Sequence, residues 1–223
     1  MTKASRTNEG ENVPSAPDGA SPWEFAHALL FTGHMIDRPG RAHPVFPPGA
    51  EKYARMALLD SLAGIQWTQP GTTIGLAGGA NGGDVLFHEC CEELGIPTRV
   101  LLAMPAEEFE AASVAPAGSE WVKRFHALLH KRGLSLQVMP DGNGLGKRAT
   151  GNVWQRANLW MIEEAIRIAP ERAVLALWDG RTGGGPGGTE HFLLAARQHG
   201  MRLLPPIQTQ TFLARARETC KAD

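Results

Sequence analysis

The chain predicts a three-layer α/β fold, a doubly wound and mostly parallel sheet of about six strands with helices on both faces. Three observations point there. Short apolar runs bounded by Gly, Pro and polar residues alternate with longer segments of helical periodicity. Two glycine-rich turns each follow an apolar run and precede a helical pattern, as in a strand–turn–helix unit. At 223 residues the chain is long enough for one well-buried core and too short for two of ordinary size.

Taken in order, the strand-like runs are Ala28–Thr32, Thr73–Ala77, Arg99–Met104, Leu134–Met139, Val174–Trp178 and Met201–Leu204. The helical candidates between and after them are Glu51–Ala63, Asp84–Leu94, Glu120–Lys131, Asn152–Ile168, Gly188–His199 and Thr209–Cys220. In the second helix Leu86, Phe87, Cys90, Cys91 and Leu94 recur at helical spacing and form an inward stripe, which leaves His88, Glu89, Glu92 and Glu93 outward and makes both cysteines core thiols. Residues 23–206 form the single domain, 1–22 a disordered polar tail, and 207–223 a C-terminal helix or tail.

The two turns carry the chemistry. From Gly183 to Gly188 five of six positions are glycine, directly after the run ending Trp178-Asp179-Gly180. Glycine has the largest conformational entropy to lose, so such a loop needs a positive φ or a close backbone approach to explain it. The helix that follows, from Glu190 to His199, turns its first N–H groups back on the loop, an arrangement that suits a phosphate. Upstream, Gly78-Gly79-Ala80-Asn81-Gly82-Gly83-Asp84 repeats the design between a strand and a helix. In an open parallel sheet both loops emerge at the carboxyl ends of strands, where ligands sit, so they suggest one shared pocket for a nucleotide or another phosphorylated small molecule. Long polar loops at Arg38–Gly49 and Asp141–Gly151 belong to the same edge. The first, with His34, Asp37, Arg38, Arg41 and His43, reads equally well as a ligand-contacting loop or as a solvated one.

Composition narrows the partners. A formal net charge of −1 supplies no basic field, which disfavours nucleic acid. Three cysteines, Cys90, Cys91 and Cys220, form neither a disulfide framework nor a zinc pattern, and point to a reducing cytoplasm. Met1–Ser21 lacks the apolar stretch of a signal peptide, and no run is long enough to span a membrane. No metal or cofactor is expected. The chain has no G-x-x-x-x-G-K-[ST], no H-E-x-x-H and no G-x-S-x-G, and the run Gly78 to Gly83 does not fit G-x-G-x-x-G. Phosphate-loop NTPases, ordinary dinucleotide dehydrogenases, the usual metalloproteases and α/β-hydrolases are therefore disfavoured.

Four segments together resemble the SLOG superfamily of Rossmann-like domains, which includes the DNA-processing Smf/DprA proteins and the LOG "lysine decarboxylase-like" phosphoribohydrolases. They are Gly33-His34, the turn at 78–84, Asn158-Leu159-Trp160-Met161, and the stretch from Trp178-Asp179-Gly180 to Gly187-Gly188-Thr189. Their order and placement cover residues 26–205. The resemblance implies a nucleotide-derived ligand bound by Gly33, His34, Gly78, Gly79, Asn81, Gly82, Gly83, Asp84, Asn158, Asp179, Gly180, Gly187, Gly188 and Thr189. It also implies homo-oligomers as one option, by analogy alone.

Several of those residues have a second reading. Asp84 can fix its loop or bond a ribose, or simply answer a helix dipole; Thr189 can meet a phosphate or merely cap; Asp179 can ligate or cap its turn. Trp154 and Trp160 could stack on a base, although tryptophan at helical spacing is more often core. The hydrolase branch carries P-G-G-x-G-T-x-E-E, whereas here Thr189 is followed by Glu190 and His191. Catalysis would then fall to Glu190 with Arg156, yet Arg156 and Asn158 lie on opposite flanks of one helix, and Arg156 could equally pair with Glu163. A ligand-sensing domain is the leading expectation, base release the alternative, DNA processing the third. On this reasoning Gly79→Val or Gly187→Val should remove ligand binding and largely spare the fold.

Overall fold

The computed structural model describes residues 23–38, 40–66, 71–131, 135–140, 151–182 and 185–219. The expected N-terminal tail, most of the loop at 141–151, Gly183, Gly184, Leu134 and Cys220 lie outside the described residues. The chain runs β1 (His27–Gly33), α1 (Glu51–Ala63), β2 (Thr73–Ala77), α2 (Gly83–Glu93), β3 (Thr98–Leu102), α3 (Ala106–Ser113), α4 (Ser119–Leu129) and β4 (Ser135–Val138). It continues through α5 (Val153–Ile168), β5 (Glu171–Trp178), α6 (Thr189–Gln198), β6 (Arg202–Leu203), β7 (Ile207–Gln208) and α7 (Thr209–Thr219).

All strand pairs are parallel, in the order β4-β3-β2-β1-β5-β6, with β7 also on β5. The α/β, doubly wound class is therefore the observed one. The chain winds outward from β1 to β4, then crosses back over the sheet through α5 to lay β5 along the other side of β1. The strand order reverses between β1 and β5, and their carboxyl ends, Gly33-His34 and Trp178-Asp179, flank the topological switch point.

Two apolar clusters explain the layers. Leu29, Phe31, Val100, Leu102, Leu175 and Leu177 pack on one face with Leu58, Leu62, Phe87 and Phe125 of α1, α2 and α4. Ala28, Leu30, Ile74, Leu76 and Val174 pack on the other face with Trp160, Ile162, Ala165 and Phe192 of α5 and α6. The alternation along β1 and β5 is the period-2 consequence of burying both faces of a parallel strand. Phe31 and Phe87 stack at 4.7 Å with planes 8° apart, which fixes α2 against β1.

One expectation is corrected. His88 faces inward, not outward: it is buried, with Nε2 donating to Gly78 O at 2.8 Å. The reason is that α2 is covered by the sheet, α1 and α4 at once, so its apolar stripe widens to Val85–His88, while Glu92 and Glu93 are exposed and Asp84 and Glu89 partly so. Burial depresses the His88 imidazole to about 4, against the pull of the Gly78 and Ala77 carbonyls. The two cysteines are core thiols. Helix α3 and strand β7 were not foreseen; α3 is short and carries a single large apolar anchor, Phe109, and β7 follows the Pro205-Pro206 break in the edge strand.

At the amino end of β3, Arg99 is buried on the α5 face, in register with Leu76. It donates to Glu24 Oε1 at 2.9 Å, while its Nε and Nη1 are enclosed without a hydrogen-bond partner. A half-satisfied buried guanidinium contributes little net stability, but stripping its one carboxylate leaves an uncompensated charge. We expect Arg99→Met to leave the urea midpoint unchanged or raised, and Glu24→Ala to lower stability by about 1–3 kcal/mol. A Glu24→Ala variant as stable as the parent would contradict this.

Candidate functional site

The carboxyl edge of the sheet gathers His34 after β1, the turn at 78–84 after β2, and Asp179–Thr189 after β5. The first two pack on each other through bare backbone. Gly83 N donates to His34 O at 3.0 Å. A Cβ on Gly82 would stand 2.7 Å from Ile36 N and 2.9 Å from His34 O, and Gly82 also holds φ at +85°. A Cβ on Gly83 or Gly33 would meet the other residue's Cα, at 3.1 and 3.3 Å. The close approach that these glycines permit is thus an approach to the protein itself.

Side chains complete that junction. Asn81 is buried: its Oδ1 accepts from Ile36 N at 2.9 Å, and its Nδ2 and N both donate to Ser113 O. Asp37 organises the proline-rich loop after β1, its Oδ2 accepting from Val45 N and Phe46 N and its Oδ1 from Arg41 Nη1. That loop is accordingly built around Asp37, with Arg38, Arg41 and His43 exposed. On α2, Asp84 Oδ2 accepts from Ala80 N at 3.3 Å, and one turn on His88 holds Gly78 O. Asp84 remains partly accessible while lying deep among protein atoms, and that burial raises its carboxyl to about 7 against the Ala80 N–H.

The loop after β5 is supported from below by α5. Asn152 caps α5 through a reciprocal capping box with Gln155, and its Nδ2 donates to Pro186 O at 3.0 Å. Asn158 Nδ2 donates to Gly187 O at 3.0 Å and lies 3.2 Å from His191 Nδ1. Gly187, at φ +94°, sits on Trp154: an added Cβ would stand 2.4 Å from Trp154 Cβ. Trp154 is therefore a half-buried wedge between the loop and Phe109, which it meets edge-on at 5.9 Å, and Trp160 is buried in the second core cluster. Gly180 at φ +75° opens the loop, Gly188 N donates to Gly185 O, and α6 begins after Gly188 with no side-chain cap. Thr189 is buried and Glu190 half-buried in that first turn.

The starts of α2 and α6 differ in consequence. The first N–H of α2 already has His34 O, whereas α6 presents its first turn to a glycine loop braced by two asparagines. Arg156 lies on the flank of α5 away from Asn158 and donates to Gly151 O at 3.0 Å.

His34 and Asp179 bridge the switch point. His34 Nε2 is 3.2 Å from Asp179 Oδ1 and 3.1 Å from Asp179 N, and Asp179 Oδ1 also accepts from Arg181 N at 3.1 Å. Burial holds the His34 imidazole below its ordinary value although the Asp179 carboxylate pulls the other way. Burial pushes the Asp179 carboxyl up, but the Arg181 N–H, the His34 hydrogen bond and the nearby positive charge outweigh it and hold the group below the usual range. Among the described residues no group of three His, Cys, Asp or Glu is placed to hold a metal ion, and no helix is long and apolar enough to cross a membrane. A cavity of about 240 Å³ lies between α1 and α7, with Tyr53, Ala57, Ile207 and Phe212 in its walls and neither glycine-rich loop among them.

No protein-family model matches the chain, and no curated protein is significantly similar to it. Among solved structures, the X-ray structure of DNA processing protein A (DprA) from Streptococcus pneumoniae is similar at 12% sequence identity and a TM-score of 0.31. The match covers 86% of this chain and 62% of that one, so this chain spans less than two thirds of that protein's length. The α/β assignment rests on the sheet order itself.

The packing overturns one expectation from the sequence. A Cβ at Gly79 would stand 2.8 Å from Phe125 Cε2, and one at Gly187 would meet Trp154, so both substitutions act on the packing of the fold as well as on the loops. Gly79→Val and Gly187→Val should each lower stability by about 1–3 kcal/mol in urea denaturation; parental midpoints would contradict this. Asp84 supplies a second test. Its raised value means that between about pH 4 and pH 7 the unfolded chain ionises first and binds fewer protons, so the native state loses stability as pH rises. Asp84→Asn should match the parent near the acid end of that window and be the more stable protein at its alkaline end, by thermal melts at both; parallel pH profiles would count against a raised carboxyl.

Proposed function

We propose that the chain binds a phosphorylated small molecule, a nucleotide or nucleotide derivative, in the crevice outside the carboxyl ends of β1 and β5, and acts as a ligand-sensing domain. The observation that carries this reading is the start of α6. It has no side-chain cap, it follows a glycine loop with left-handed residues at Gly180, Gly185 and Gly187, and Asn152 and Asn158 brace that loop from beneath. Such an N-terminus has the partial positive charge and directed N–H groups that an anion needs.

In this reading Gly187, Gly188 and Thr189 meet the phosphate, and Asp179 Oδ2 and Gly180 face the sugar. Asp84 contributes a carboxyl near its titration point. Gly33, Gly78, Gly79, Asn81, Gly82 and Gly83 build the wall that keeps the crevice in shape, and His34 joins that wall to Asp179. The resemblance to SLOG domains supports the ligand class. Binding without cleavage is favoured over base release because Arg156, the proposed partner of Glu190, is bonded to Gly151 O on the flank of α5 away from Asn158. The net charge of −1 favours a small ligand over nucleic acid.

The test is a thermal-shift series with AMP, IMP, ADP-ribose, NAD and inorganic phosphate, each mixture then resolved chromatographically for released base. At about 100 times Kd a ligand adds about 2.7 kcal/mol, an easily read rise in Tm. A shift with intact ligand is expected. Released base that vanishes in Glu190→Gln would make the chain an N-glycosidase instead, and no shift with any of the five would overturn the reading.

A further inference from the structure

One ring nitrogen joins the end of β1 to the end of β5, and it has two possible partners on the same residue. His34 Nε2 lies 3.1 Å from the backbone N of Asp179 and 3.2 Å from its Oδ1. An imidazole nitrogen has one in-plane position, which holds either a proton or a lone pair. With the proton on Nδ1 alone, Nε2 accepts from the Asp179 N–H, and Oδ1 is held by Arg181 N. With a proton on Nε2, the ring donates to Oδ1 and the Asp179 N–H loses its acceptor. The two arrangements exclude each other.

We propose that His34 and Asp179 form a proton-operated latch across the β1–β5 switch point, and that anion binding at the crevice draws a proton onto His34. The coupling half of this rests on the binding reading above. Protonation adds one positive charge to the crevice and leaves the Asp179 N–H for a ligand oxygen, so the protonated latch favours an anion. By reciprocity a bound anion raises the proton affinity of His34. The charged groups around the ring are Asp179 and Arg181 after β5 and Asp37 and Arg41 on its own loop, with Asp84 on α2 beyond the Gly83–His34 contact. Arg181 Nε lies 3.9 Å from Asp179 Oδ2. Burial holds the His34 imidazole below its ordinary value, which favours the neutral arrangement near neutral pH.

The experiment is an NMR pH titration of the full chain, following the His34 ring and the Asp179 amide, without anion and then with inorganic sulfate. Sulfate is the probe because its charge is constant over the range, whereas a phosphate monoester titrates near about pH 6. Without anion, the ring and the Asp179 amide should move together with one midpoint below that of an ordinary histidine. With sulfate that midpoint should rise, and sulfate affinity should grow as pH falls, by no more than about tenfold per pH unit. In His34→Gln on an Asp84→Asn background, which removes the carboxyl that titrates beside the crevice at about 7, the affinity should be flat with pH, whereas Asp84→Asn alone should keep the His34 dependence. An Asp179 amide that ignores the His34 titration overturns the latch. Sulfate or AMP that binds without moving the midpoint overturns the coupling and leaves the binding reading standing. A latch that titrates as described while neither sulfate nor AMP binds at any pH overturns the coupling together with the binding reading.

Discussion

The arrangement depends on one backbone-to-backbone contact. Where His34–Ile36 leaves β1 it lies against Gly82-Gly83 at the start of α2, close enough that a Cβ on Gly82 would strike Ile36 N and His34 O. That contact sets the height of α2 on the sheet, stacks Phe87 on Phe31, and engages the first amide of α2 with His34 O. It also turns His34 so that its ring reaches Asp179 across the switch point. The turn on the β2 side of the crevice is therefore packed, backbone to backbone, against the segment that leaves β1. On the β5 side a glycine loop rests on Asn152, Asn158 and Trp154 and a helix opens without a side-chain cap, which is where the proposed binding reading places the anion.

Read this way, the two glycine-rich turns have different jobs despite their similar composition. In the first, the absent side chains make room for Ile36, Phe125 and Gly33, and Asn81, Asp84 and His88 tie the turn to its surroundings. In the second, Gly187 is also packed, but Gly188 and the first turn of α6 are left toward the crevice. Holding the Asp84 carboxyl at about 7 and the His34 imidazole below its ordinary value by burial costs stability. Such a cost is ordinary at a functional site.

Much of this was legible in the sequence, and the rest fails for identifiable reasons. The limits of α1 and β2 are those that periodicity predicts, because each is bounded by Gly or Pro and carries an unbroken pattern. The two loops stand out in the sequence through glycine chemistry, which says that backbone comes close to something but not to what, and the candidate site residues around them came from the resemblance. His88 was misplaced because a helical wheel knows one buried face, whereas α2 is enclosed by the sheet and two helices. The bridge between His34 and Asp179 spans 145 positions and has no local signal. A polar pair at the ends of two strands becomes visible only once the crossover through α5 makes those strands neighbours.

The most direct measurement is amide mapping by NMR as AMP is added to the full chain. If the crevice is built as described, the largest shifts fall on Gly187, Gly188, Thr189 and Glu190, with Asp179 following, while Gly82 and Gly83 stay near their free positions because their amides and Cα atoms are already packed against β1. Shifts concentrated on Gly82–Val85 with α6 silent would move the anion site to the start of α2 and contradict the division of labour between the two loops.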